Sequence, residues 1–243
     1  MIPIQDTIPS RSFPVITWAL ILLNTLIFAL EASLSPAELE RLVYAFGVIP
    51  ARYTHPAWAV SMGLTPNAWW PFLSNMFLHG GLLHLAGNMW SLYIFGDNVE
   101  DRMGRGRFLV FYLLTGVAAS LLHIAVNPDS TMPAIGASGA ISGVMGAYMF
   151  LFPRARIIFL IPLLFIPYFV EISAFFYLAL WFWGQFISGT ASSVMAQNAG
   201  GIAFWAHVGG FVAGALLYRF FIRGRPKAYY ADEYYKRYIH SQT

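Results

Sequence analysis

Apolar residues run along this chain in long blocks, and short polar or basic clusters separate the blocks. A helix that crosses a bilayer needs roughly 20 mostly apolar residues. Blocks of that order predict six spans: 15–34, 74–99, 108–126, a short one at 138–152, one within 157–188, and 203–222. The fifth belongs to the later half of its block, because Pro162 and Pro167 interrupt the earlier half. Between the first two spans lies 35–73, which carries Tyr44, Phe46, Tyr53, Trp58, Trp69 and Trp70. That stretch is too apolar for a floppy linker and reads as an element lying partly in the outer bilayer interface. The predicted fold is all-α: a polytopic six-transmembrane-helix bundle with a large interfacial loop between helices 1 and 2. Residues 1–13 form a short cytoplasmic lead, 14–223 the membrane domain, and 224–243 a basic, tyrosine-rich cytoplasmic tail. No second domain or internal repeat is visible.

Basic residues in short loops collect on the cytoplasmic side of a membrane. With six spans, all but two of the 14 lysines and arginines fall on one side, from Arg11 through Arg102, Arg105, Arg107, Arg154 and Arg156 to the tail. The exceptions are Arg41 and Arg52. Five or seven spans would scatter these charges. Both termini are therefore expected in the cytoplasm, and the first span is read as a retained helix because Asp6 and the prolines Pro3, Pro9 and Pro14 precede it.

Composition supports lipid as the main solvent: 58% of residues are hydrophobic and 10% charged, against about 25% charged in soluble domains. The chain has no cysteine, which excludes disulfides, thiolate metal sites and a cysteine nucleophile. It has no HExxH for zinc. Asp97 lacks the glycine two residues before it, and a partner aspartate, that paired-aspartate chemistry would need.

Polar side chains at membrane depth are costly and are functional candidates by default. Three predicted helices hold them. The fourth opens with Gly136-Ala137-Ser138-Gly139, the sixth with Ala206-His207-Val208-Gly209-Gly210, and the second carries His79, His84 and Asn88. The cytoplasmic arginines serve as depth rulers. Ser138 lies 16 residues before Arg154, and His207 lies 16 before Arg223. His84 and Asn88 lie 18 and 14 residues before Arg102. At about 1.5 Å per residue, all four sit roughly 24 Å from the inner interface, at one level below the outer surface.

Glycine spacing brings the same groups together laterally. Gly139 and Gly143 make one GxxxG pair, and Gly210 and Gly214 another. Such pairs let helix backbones approach closely. His207 shares the face of Gly210 and Gly214, so meeting glycine faces put His207 within reach of Ser138. A serine hydroxyl needs a neighbouring base to become a nucleophile, which casts Ser138 as nucleophile and His207 as general base. Ser138 begins a helix, where backbone N–H groups are free. With the Asn88 amide and a His84 ring nitrogen they outline an oxyanion hole. The segment 188–201, rich in glycine and serine, reads as a lid or gate over the hollow above Ser138.

These residues resemble the rhomboid family of intramembrane serine proteases. The resemblance rests on four pieces in order: the run from Phe77 to Met89, the ExxxG of Glu100 to Gly104, the GxSG of Gly136 to Gly139, and the AHxGGxxxG of Ala206 to Gly214. It covers about 46–217. It implies a six-helix core and a Ser138–His207 dyad without a third acid. It also implies Asn88 and His84 at the oxyanion, no cofactor and no metal. The implied partners are single-pass transmembrane protein substrates and the lipid bilayer, with no nucleic acid. Location in the plasma or inner membrane of a prokaryote is the matching expectation. In one respect the chain departs from the pattern: some members carry an aromatic one turn below the serine, where this sequence has Ser142, and what orients His207 is left open.

Plainer readings compete at each residue. Ser138 alone would more often be a packing or N-cap serine, and His207, His84 and Asn88 ordinary cross-helix hydrogen bonders. Ser142 is a rival nucleophile without the preceding glycine. His79 reads as structural; His55, His123 and His240 receive no role. Glu171 either starts the fifth span or lines a cavity. At the level of function, the alternatives are a non-catalytic rhomboid-like binder of transmembrane helices, and a solute transporter or bis-histidine haem protein.

Overall fold

The computed structural model describes residues 1–163, 166–194 and 203–223. In chain order the elements are β1 (Ile2–Asp6), α1 (Val15–Glu31), α2 (Pro36–Phe46), α3 (Ala51–Thr54), α4 (Pro56–Ser61), α5 (Pro71–Ser74), a 3-10 turn (Asn75–Phe77), α6 (Leu82–Met103), α7 (Arg105–Val126), α8 (Ser138–Leu151), β2 (Arg156–Leu163), β3 (Ile166–Ser173), α9 (Ala174–Val194) and α10 (Phe204–Phe221). The fold is mostly helical, and the long helices lie on the predicted apolar blocks. The second begins eight residues later than predicted, because 74–81 is taken up by the end of α5, the 3-10 turn and Gly80-Gly81.

One element was not anticipated. The earlier half of the fifth block forms the antiparallel hairpin β2–β3, and β1 adds to its other edge in the order β1-β2-β3. Pro162 and Pro167, which interrupt any helix there, sit opposite each other near the hairpin tip. Glu171 is accordingly not a helix start. It lies in β3 beside Arg156, at 3.7 Å.

α8 is the centre of the molecule, with eleven of its fourteen residues buried. Its glycines explain why. A methyl on Gly210 would overlap the Gly139 carbonyl, and one on Gly214 the Gly143 carbonyl. A methyl on Gly146 would strike the Phe211 carbonyl, and one on Gly143 would strike Thr115 of α7. α8, α10 and α7 thus touch backbone to backbone or nearly so. Among the described residues, α7 is the helix long and apolar enough to cross a membrane by length and composition; α1 and α8 are shorter apolar helices. α6 falls short because it carries His84, Asn88, Asp97, Asn98, Glu100 and Asp101.

Two carboxylates fasten α1. At its start, Glu100 of α6 accepts the backbone N–H of Ile16 (3.0 Å) and of Thr17 (2.8 Å) and the Thr17 hydroxyl (2.9 Å). A carboxylate there satisfies orphan donors and meets the positive end of the helix dipole. At its end, Glu31 accepts the backbone N–H of His79 at 3.2 Å. Four residues beyond Glu100, Gly104 turns the chain into α7 with a φ of 79°, a conformation that favours glycine. The matched ExxxG is therefore a structural corner.

The loop between α1 and α6 is ordered by a buried arginine. Arg52 is 1% exposed, donates to the carbonyls of Thr65 (2.9 Å) and Ala45 (3.0 Å), and lies over the Trp70 ring at 5.4 Å. Burial lowers the pKa of its guanidinium from the usual value. A backbone bridge from Val48 to Ala134 then joins this loop to the strand of chain leading to Ser138.

Candidate active site

Ser138 is the first residue of α8, and His207 lies in the first turn of α10. The glycine contacts between those helices bring the side chains together: His207 Nε2 is 2.8 Å from Ser138 Oγ. That is hydrogen-bond reach for a base and its nucleophile. His207 is 8% exposed, and Ser138 is half-buried.

Gly136 shows why the motif before Ser138 needs glycine. Its φ is 126°, which L side chains rarely adopt. A Cβ there would lie 2.8 Å from the His84 ring and 3.6 Å from Asn88 Nδ2. His84 and Asn88 therefore crowd the backbone two residues before Ser138. The N–H groups of the first turn of α8 open towards the same place, since the first intrahelical bond is from Ile141 to Ala137. Asn88 is itself held, because its amide nitrogen donates to His79 Nε2 at 3.0 Å. His79, whose backbone N–H is tied to Glu31, serves as a support, in keeping with its structural reading.

Ser142 is 1% exposed, and its hydroxyl donates to the Ser138 carbonyl at 2.6 Å. It is turned back into its own helix and does not meet the histidine. Behind Ser138 lies a cavity of about 20 Å³, lined in part by Asn75, Ser120, His123 and Gly136. It has room for about one water. His123, given no role from the sequence, thus lines this cavity; His55 pairs with Asp129 at 2.7 Å, away from the dyad. His240 and most of the proposed lid, from residue 195 onward, lie outside the described residues, as does the tail 224–243.

One residue at the site was passed over in the sequence. Gln185 of α9 places Oε1 2.7 Å from His207 Nδ1. From one turn earlier, Trp181 sets its ring 5.8 Å from the imidazole, tilted by 34°. The signal was present: a lone amide in an aromatic span is costly at that depth.

With this geometry established, comparison with known proteins is direct. The rhomboid domain family model matches residues 66–224. The chain is 38% identical to the rhomboid protease GluP of Bacillus subtilis (strain 168) over 97 residues, 40% of this chain and 18% of GluP. It is 30% identical to the mitochondrial rhomboid protein 1 of Saccharomyces cerevisiae over 151 residues, 59% of this chain and 39% of that one. It is 29% identical to the mitochondrial presenilin-associated rhomboid-like protein of Bos taurus over 154 residues, 59% and 36% of the two chains. The chain spans well under two thirds of the length of each of these relatives. The motifs, the membrane-type helical fold and the matched region, which exceeds half the chain, agree: this is a membrane protein that belongs to the rhomboid family.

Proposed function

We propose that this protein is an intramembrane serine endopeptidase that cleaves transmembrane segments of other membrane proteins. The 2.8 Å contact between His207 Nε2 and Ser138 Oγ carries the reading. His207 takes the hydroxyl proton as Ser138 Oγ attacks a substrate carbonyl. Negative charge then develops on the carbonyl oxygen, where first-turn N–H groups of α8, the Asn88 amide and His84 stabilise it. The histidinium gives its proton to the leaving amine, and an ester to Ser138 forms. Water, deprotonated by His207, then releases the second product. No cofactor or metal is required by this sequence of steps.

The substrate class follows from the depth of the pair. A helical segment shields its amides by internal hydrogen bonding, so a single-pass helix must unwind locally to present a carbonyl to Ser138. Six spans, cytoplasmic termini and residence in a cell or inner membrane complete the proposal, supported by the basic-residue asymmetry. The reading is tested by labelling detergent-purified protein with a fluorophosphonate beside Ser138→Ala and His207→Ala. Labelling of wild type that is lost in both variants is the expected result. Well-folded wild type that neither labels nor cuts a transmembrane substrate in lipid would replace the enzyme with a binder of transmembrane helices.

A further inference from the structure

The dyad leaves one question open, since Ser142 stands where an aromatic would support the histidine. We infer that Gln185 is the positioning residue of His207, holding its proton on Nδ1 so that Nε2 faces Ser138 as an acceptor. The inference rests on the protease reading above.

The geometry is two-sided. Nδ1 of His207 meets Gln185 Oε1 at 2.7 Å, and Nε2 meets Ser138 Oγ at 2.8 Å. An amide oxygen only accepts. Nδ1 therefore carries the hydrogen, and Nε2 keeps a lone pair directed at the serine hydroxyl. The reversed amide would donate to Nδ1, put the proton on Nε2 and leave nothing to accept from Ser138. A single hydrogen bond thus selects the competent tautomer, as a buried carboxylate does in Ser–His–Asp enzymes.

A face of α9 is built for this contact. Trp181, Gln185 and Gly189 follow at intervals of four, on one side of the helix. Trp181 lies against the imidazole and against Phe211. Gly189 admits the Trp205 ring, which a Cβ would meet at 3.1 Å. The amide between them is neutral, which suits its depth. A carboxylate there would be an expensive buried charge, whereas glutamine orients the ring with no charge to desolvate. This accounts physically for a dyad that works without an acid.

The test compares wild type, Gln185→Met, Gln185→Glu and Ser138→Ala on a transmembrane substrate in lipid, with kcat and KM measured across pH and folding checked by thermal unfolding. Methionine keeps the bulk and removes the acceptor; we expect kcat to fall about tenfold with KM unchanged. Glutamate keeps the acceptor and adds an anion that favours the imidazolium. Its activity should survive on the alkaline plateau, with the acidic limb of the profile displaced to higher pH. His84 and His123, the other titratable groups near His207, are identical in all four proteins, so a displaced limb reports on position 185. If Ser138→Ala is dead and both Gln185 variants are folded with profiles superposing on wild type, the positioning role is overturned while the protease reading stands. A drop in Gln185→Met with no displacement in Gln185→Glu also overturns it, because bulk packing alone would do that. Should Gln185→Met fail to fold, the limb of Gln185→Glu decides. Continued cutting by Ser138→Ala would instead remove the protease reading itself.

Discussion

α10 makes two seams of different kinds. Against α8 the contact is backbone on backbone: Gly210 on Gly139, Gly214 on Gly143, and Gly146 beneath Phe211. Against α9 it is side chain on side chain: Trp181, Phe182 and Gln185 on His207 and Phe211, and Phe186 on Trp205. The first seam sets where the two helices are, so it sets the distance between the Ser138 and His207 backbones. The second sets which way the imidazole faces. Position comes from residues with no side chain, and orientation from large ones. Backbone contacts are stiff and intolerant of any added atom, whereas aromatic contacts can lose one partner and repack.

That contrast can be broken most severely on the glycine side. Gly210→Leu inserts a side chain where a methyl already overlaps a carbonyl. Destabilisation at or above ~3 kcal/mol, the upper end of ordinary overpacking, should appear as unfolding in mixed micelles, with activity lost alongside. A substitution that kept both stability and activity would show the seam to be looser than its contacts.

The far end of α8 offers a comparable effect through pH. Tyr148 of α8 shares a hydrogen bond with Asp6 of β1. Burial, opposed in part by that bond and reinforced by Asp97, pushes the Asp6 carboxyl up from 3.8 to about 8. The folded protein then binds a proton that the unfolded chain releases near pH 4. The Asp6 contribution is fully present below about pH 4 and is lost as pH rises through about 8. Asp6 should contribute on the order of 3 kcal/mol to the difference in unfolding free energy between pH 5 and pH 9, and Asp6→Asn should remove that part of it. An equal slope in both proteins would place the titration elsewhere.

Gly136→Ala sharpens the comparison at the site. The methyl forces a strained φ and meets the His84 ring, while the α8–α10 seam is untouched. Activity should fall about 100-fold, the scale of one lost oxyanion donor, with a loss of thermal stability from the strained φ that is smaller than for Gly210→Leu. Loss of stability without loss of rate would invert the assignment. The smallest effect is expected on the aromatic side. Trp181→Leu removes one ring contact, so kcat should drop about fivefold, less than for Gln185→Met.

The parts of this molecule that were legible in the sequence are those with local signals. Apolar blocks marked α1, α7, α8 and α10 to within a few residues, and the GxxxG pairs identified the faces that meet. Depth counting from arginines put Ser138, His207, His84 and Asn88 on one level, and the structure brings them into one neighbourhood. The hairpin was not legible, since 157–173 is apolar on both faces and shows no alternation. Its pairing with Ile2–Asp6 joins residues some 150 positions apart, which no local pattern records. Gln185 stands among Trp181, Phe182, Trp183 and Phe186, and no local pattern there points to a partner. Its partner sits 22 residues away on another helix.

The two carboxylates that fasten α1 also bear on how the chain is made. α1 leaves the ribosome well before its partners. The backbone group that Glu31 holds lies 48 residues downstream, and the Glu100 carboxylate that caps Ile16 lies 84 downstream. During synthesis the first helix therefore forms with both ends unclaimed and is latched only once α6 has followed. A nascent chain stalled before residue 100 would carry a first helix whose first turn is still uncapped. In that sense the latch records that the second long helix has arrived.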